Sequence, residues 1–217
     1  MPRPRSLNTD QIAAAALAVI DRDGLDTLSM RTVARQLGIG AMSLYRYVSD
    51  RDQLEELVVE LVLGAVDISA PRGSAGRKLA VLADRVRVAV SEHPAVLPLL
   101  LIHRHRALSS LRWGEAVLTV LADAGFTGKR RVIAFRAVLG YVFGALQVEH
   151  FGPLSGMGTK ALAALPAEEF PVLTETAARA RTVAPEDEFR QGFAILLRGL
   201  GLAKRVHAVD HLCRVRV

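Results

Sequence analysis

Between Arg5 and Ala70 the chain has no proline, and apolar residues recur at helical spacing almost without interruption. A proline inside a helix removes a backbone hydrogen bond and collides with the preceding turn, so a long periodic stretch without one is suited to helices. Strand signals are scarce. Only one Trp, three Tyr and seven Phe are present, alternating apolar and polar runs are lacking, and no Asn-Gly or Asp-Gly pair joins two strand-like runs. The expected fold class is all-α.

The helices can be placed from their caps and stripes. Asn8 with Gln11 starts the first, whose stripe is Ile12, Ala15, Ala16, Val19 and Ile20 and whose stop is Gly24. A second runs from Ser29 to Gly38 and a third from about Ala41 to Val48. Ser49, Asp50 and Asp52 open a fourth, with Leu54, Leu57, Val58, Leu61 and Val62 expected inward. The linker-like stretch Ser69 to Gly76 follows, and the expected division is 1–65 for a small helix-turn-helix domain of three helices and 66–217 for a larger helical domain. Longer helices are expected at about 77–92, 95–102, 105–124, 128–150 and 186–204. Residues 151–171, rich in glycine and proline, are expected to form a loop.

At 217 residues and 51% hydrophobic content the chain can bury a large core without covalent staples. A lone cysteine, Cys213, excludes an intrachain disulfide framework and a cysteine zinc finger, which fits a reducing cytoplasm. The amino terminus lacks a signal-peptide pattern, and the longest apolar runs, 94–102 and 137–148, are shorter than a membrane span, so no membrane partner is expected. Net charge is +6, which suggests a polyanionic partner, but the excess is unevenly placed. Residues 1–64 carry seven arginines against nine acids, whereas 65–217 carry twenty-one basic against thirteen acidic residues.

The informative segment is Ser29 to Val48. Two helices crossing at a short turn need a small residue at the crossing, a turn residue tolerant of positive φ and apolar residues locking the pair. Ala34, Gly38 and the set Val33, Leu37, Ile39, Leu44, Tyr47 and Val48 meet those needs. The opposite face then presents Ala41, Met42, Ser43, Tyr45 and Arg46 as readers of a major groove. An ordinary helix corner inside a bundle would show the same turn. Four arginines (31, 35, 46 and 51) against the single acid Asp50 favour DNA, with Ser29 and Arg31 placed for phosphate contacts and Arg3 and Arg5 either an added arm or a solvated tail.

The run Thr27 to Ile39, followed by Ser43-Leu44-Tyr45-Arg46-Tyr47-Val48 and Asp50-Arg51-Asp52-Gln53-Leu54, resembles the amino-terminal domain of TetR-family transcriptional repressors over about residues 7–65. The resemblance implies double-stranded DNA as partner. It gives Arg31, Ser43, Tyr45, Tyr47 and Arg51 contacts chiefly to phosphate and places Ala41, Met42 and Arg46 where the family reads bases. A weaker resemblance to the family's tetracycline-binding type of ligand domain covers residues 121–126, 137–144 and 189–200. Leu100 and Tyr141 stand near positions where that type carries ligand histidines, and Glu149, near its metal-linked glutamate but without those histidines, is expected as a solvated helix residue, so neither tetracycline nor magnesium is expected.

By the same resemblance the chain forms a homodimer through two apolar helices, with Gly140, Gly144, Phe193 and Leu197 at the interface; internal core is the less favoured alternative for both helices. A small-molecule effector of unknown identity is expected among Leu61, Leu82, Val86, Leu100, His103, Trp113, Val117, Phe135 and Leu139. No cofactor or metal is expected: His103 and His105 alternate with arginines, and His207, His211 and Cys213 lie in a basic tail. No phosphate loop, nucleophile elbow or paired-carboxylate motif suggests an enzyme. The expected function is a regulator released from a palindromic operator by its effector. Two rivals remain, a non-specific nucleic-acid-binding protein and a cytosolic ligand-sequestering protein.

Overall fold

The computed structural model describes residues 7–202, and among them every regular element is helical. Arg3, Arg5, His207, His211 and Cys213 lie outside the described residues. The helices are α1 (Thr9–Asp23), α2 (Met30–Gln36), α3 (Ala41–Leu44), α4 (Arg51–Gly64), α5 (Ala75–Glu92), α6 (Leu97–His103), α7 (Leu108–Asp123), α8 (Gly128–Phe151), α9 (Met157–Ala163), α10 (Pro171–Ala180) and α11 (Pro185–Gly199).

Local chemistry starts most of the early helices. Asn8 and Gln11 exchange side-chain and backbone hydrogen bonds at the start of α1, and Ser29 and Thr32 do the same for α2. Asp50, rather than Ser49, caps α4 by accepting from the Gln53 N–H at 2.8 Å, and that bond, with help from Ser49, holds its carboxyl below the usual range. Ser74 caps α5 two residues earlier than the periodicity implied.

α4 ties the chain together. It packs on α1 along one side and on α5, α6 and α7 along others, so its apolar surface is broader than expected. Leu54, Val58, Val59, Val62 and Leu63 are buried, whereas the expected Leu57 and Leu61 are only half-buried. One continuous apolar core extends from Ile12 to Leu197.

Three expectations need correction. The third helix stops at Leu44, because the Tyr47 and Val48 N–H groups both turn back to its carbonyl and the chain must swing round to the Asp50 cap. Residues 151–171 are not a plain loop: Gly156 precedes α9, and Pro171, at the first position of α10, starts a helix where a missing N–H costs nothing. α8, at 24 residues and a mean hydropathy of 1.5 over its most apolar window, is long and apolar enough to cross a membrane, contrary to the expectation from its interrupted runs. Its Ala134, Val138, Val142 and Leu146 are buried against neighbouring helices.

α8 and α11 are joined by Tyr141, whose hydroxyl donates to the Phe189 carbonyl at 2.7 Å and sits directly over Gly192. Burial pushes the Tyr141 phenol above its ordinary pKa. Phe193 and Leu197, expected at a dimer interface, lie in the protomer's own core, with Phe193 packed 5.3 Å from the Tyr141 ring. Gly140 and Gly144 instead have open space beyond them, and Ile195 projects outward from α11 with 62% exposure.

Candidate nucleic-acid interface and ligand cavity

The α2–α3 unit is held by its turn. Gly38 has φ +69°, the Ile39 N–H donates to the Ala34 carbonyl at 3.0 Å, and the Gly38 N–H donates to Arg35 at 3.1 Å. That double bond pattern closes α2 and needs a left-handed residue, which glycine supplies without strain. Val33, Ala34, Leu44 and Val48 are buried, and Leu37 and Ile39 pack at the margin.

Turning those residues inward leaves one face open. Met42 is 81% exposed, Tyr45 50% and Tyr47 43%, with Ser43 and Arg46 exposed beside them and Ala41 half-buried. Tyr47, expected in the shared core, therefore joins the outer face, since the helix ends at Leu44 and the turn after it buries Val48 instead. Arg31 and Arg35 are exposed on α2, and neither they nor Arg46 has a carboxylate within ion-pair distance among the described residues. Arg51 differs: it pairs with Glu55 at 2.7 Å and donates to the Leu25 carbonyl at 3.4 Å. The Ser29 hydroxyl is half-buried and committed to the α2 cap.

The second feature is a cavity of about 390 Å³ in the larger half of the chain. α4 contributes Leu63, α5 Val86, α6 Leu100, α7 Trp113, Gly114 and Leu118, and α8 Phe135, Leu139, Val142 and Phe143. Arg104, His105, Ser110, Leu111, Glu115 and Arg136 complete the wall. The volume falls in the range of small-molecule sites, and an apolar wall with a few polar groups is their usual composition. Trp113 is fixed by donating from Nε1 to the buried Leu82 carbonyl at 3.0 Å.

Of the expected lining residues, Val86, Leu100, Trp113, Phe135 and Leu139 stand on the wall. Leu82 and Val117 do not: both face the close-packed side of their helices and are fully buried. Leu61 also lies off the wall, since α4 presents Leu63 there. His103 is fully buried, but it turns towards α4 and away from the cavity. Glu149 is half-buried and pairs with Arg87 at 3.4 Å rather than standing free in solvent.

His103 belongs to a polar clamp that sequence reading missed. Its ring contacts Glu55 Oε2 through Nε2 at 3.0 Å and Arg106 Nη2 through Nδ1 at 3.0 Å. A guanidinium can only donate, so Nδ1 accepts and Nε2 carries the proton given to Glu55. Arg106 also binds the Asp52 carboxylate, a hydrogen bond that pushes the guanidinium further above its ordinary pKa. Glu60 accepts from the Ser109 N–H at 2.9 Å, at the start of α7. Three acids of α4 are thus fastened to the α6–α7 corner, whose next residues, Arg104, His105 and Ser110, line the cavity. The partners of these acids, 48 or more positions away in the chain, were not legible in sequence. Asp52, Glu55 and His103 bring ligand atoms within 4.8 Å of one another, yet Arg106 and the His103–Glu55 bond already occupy them.

Two family descriptions match the chain: bacterial regulatory proteins of the tetR family over residues 12–58, and the tetracyclin repressor-like C-terminal domain over residues 69–203. The HTH-type transcriptional repressor DrrR1 of Streptomyces coeruleorubidus is 35% identical over 149 residues, which are 66% of this chain and 54% of that protein. An HTH-type transcriptional regulator of Saccharopolyspora erythraea is 34% identical over 145 residues, 66% of this chain and 61% of its own length. The chain therefore spans less than two thirds of either relative. Among solved structures, the Streptomyces coelicolor TetR family protein ActR in complex with (S)-DNPA superposes with a TM-score of 0.76 at 25% identity, covering 89% of this chain and 96% of that one.

Proposed function

We propose, taking as premise that this chain belongs to the TetR family of bacterial regulatory proteins, that it is a transcriptional repressor released from DNA by a small molecule held in the α4–α8 cavity. It works in the cytoplasm as a homodimer on a palindromic operator and carries out no catalysis. Residues 1–65 bind DNA, and residues 66–217 bind the effector and the second subunit.

The observation that carries the reading is the sharing of α4 between both features. α4 begins beside the exposed α2–α3 face, bears the clamp to the α6–α7 corner in its middle and lends Leu63 to the cavity near its end. A ligand that spreads α7 from α8 displaces the corner, and Glu55, Asp52 and Glu60 convey that displacement to α4. The two recognition segments of the dimer then lose the spacing of their half-sites. Useful release needs a ligand preference of roughly 100-fold for the low-affinity state, which a largely buried ligand can supply.

On the DNA face, Met42, Ala41 and Arg46 read bases, and Arg31, Arg35, Ser43, Tyr45 and Tyr47 hold phosphates. Arg51 and Ser29 contribute less, being tied to Glu55 and to the α2 cap. The dimer forms through the outward faces of α8 and α11, where Gly140 and Gly144 permit close approach and Ile195 is exposed. The complex of ActR with (S)-DNPA supports a ligand role for the cavity by likeness.

Fluorescence anisotropy with a palindrome from upstream of the chain's own gene and with a random duplex of equal length tests the proposal. Binding at least about 1,000-fold tighter to the palindrome is expected. Equal affinities would replace the repressor reading with non-specific binding.

A further inference from the structure

The cavity wall has a chemical character that narrows its occupant. Three of the chain's eleven aromatic residues, Trp113, Phe135 and Phe143, stand on it, so it offers flat apolar faces. Its charged groups are two guanidiniums, Arg104 and Arg136, against one carboxylate, Glu115. Neither arginine has a carboxylate within ion-pair distance among the described residues, whereas Arg85, Arg87 and Arg106 nearby each pair with an acid. Arg104 spends one nitrogen on the Leu101 carbonyl and keeps the rest of its fork. Ser110 adds a hydroxyl whose oxygen is buried and finds no hydrogen-bond partner among the described residues.

A buried hydroxyl without a partner is costly, as is a guanidinium drawn from water without an acceptor. A cationic ligand would face two like charges, and a pure hydrocarbon would leave the buried Ser110 hydroxyl unanswered and two guanidiniums without an anion. Resting on the effector reading above, we propose that the cavity takes a planar aromatic acid. Its rings lie among Trp113, Phe135 and Phe143, and its anionic oxygens accept from Arg104, Arg136 and Ser110. The basic excess of residues 65–217, which no DNA contact explains, then has a local use in drawing an anion to the cavity.

Trp113 is the chain's only tryptophan and stands on the cavity wall, so a probe seated there quenches its fluorescence strongly. The test titrates the full-length protein with 8-anilinonaphthalene-1-sulfonate and with N-phenyl-1-naphthylamine, which has the same rings without the sulfonate. The sulfonate should bind at least about fivefold tighter, as charge-assisted hydrogen bonds at a partly solvated wall allow. In the R104Q/R136Q double variant the two probes should bind within about twofold of each other, with the neutral probe unchanged. Should that variant unfold, R136Q alone at the exposed rim should narrow the preference, and E115Q should widen it. A sulfonate that binds no better than the neutral probe, or a preference that survives the arginine changes, overturns the proposal and leaves the effector reading standing. Failure of both probes to quench Trp113 overturns both.

Discussion

Gly192→Ala tests whether the Tyr141 contact holds α8, one wall of the cavity, against α11. A Cβ at position 192 would stand 2.2 Å from the Tyr141 hydroxyl oxygen and 3.0 Å from the ring carbon bearing it. The backbone there is ordinary helix, so the substitution by itself should gain about 1 kcal/mol of helix propensity. Against that, the Tyr141 ring must move. Overpacking of this kind costs about 1–3 kcal/mol, and the lost hydrogen bond to the Phe189 carbonyl about 1 kcal/mol. The net expectation is a destabilisation of about 1–3 kcal/mol, or a fall in Tm of several degrees for a chain of this length. Tyr141→Phe removes the offending oxygen but leaves ring carbons at 3.0 and 3.1 Å, so the double variant should recover only part of the loss. Thermal and urea denaturation of the four proteins at one fixed concentration gives the coupling, expected near 1–2 kcal/mol, with concentration held because a dimer's stability depends on it. A G192A protein as stable as the parent, or losses that simply add, would show that Tyr141 does not pin the two helices.

Arg46→Ala should weaken operator binding and narrow the preference for the palindrome over a random duplex, measured by anisotropy on both, whereas Arg51→Ala should change either much less because its guanidinium is held by Glu55. Gly114→Leu should fill the cavity, since the position faces Phe135 with only ordinary contact at 3.6 Å. Probe quenching of Trp113 should vanish while the circular-dichroism spectrum is kept. Glu188 has its carboxyl pushed above the ordinary 4.5, first by burial and then by Glu149. The folded state therefore holds that proton more tightly than the unfolded one, and stability from this group falls as pH rises through the folded value. Glu188→Gln should accordingly be more stable than the parent at neutral pH, an advantage that fades as pH drops below about 4.5; an advantage that grows in acid would contradict the assignment.

What could be read without coordinates was what depends on neighbours in the chain. The Asn8–Gln11 box and the Gly38 turn involve partners five positions apart or fewer, and their chemistry is stereotyped. The recognition face followed from the same locality, because once Leu44 and Val48 turn in, Met42, Ser43, Tyr45 and Arg46 must turn out. The core reading of Tyr47 failed where the helical period ends, since periodicity cannot announce a turn that begins at Tyr45, whereas the family resemblance puts Tyr47 on the outer face.

Choices between surfaces of similar composition were different. α11 carries Phe193, Ile195 and Leu197 within five residues, and nothing local says which side meets its own core. Tyr141 closing over Gly192 decides that, and so sends Ile195 outward. His103 could have entered the cavity, bound a metal or remained in solvent; it is instead buried against Glu55, with Arg106 fixing its tautomer. The all-α class, the Asn8–Gln11 cap, the Gly38 turn and most of the exposed face of α2–α3 were local in origin, because backbone hydrogen bonding and turn geometry act over a few residues. Which acids of α4 meet the α6–α7 corner and which side chains surround the cavity followed from the packing of distant helices, because close-packed helices exclude one another in space.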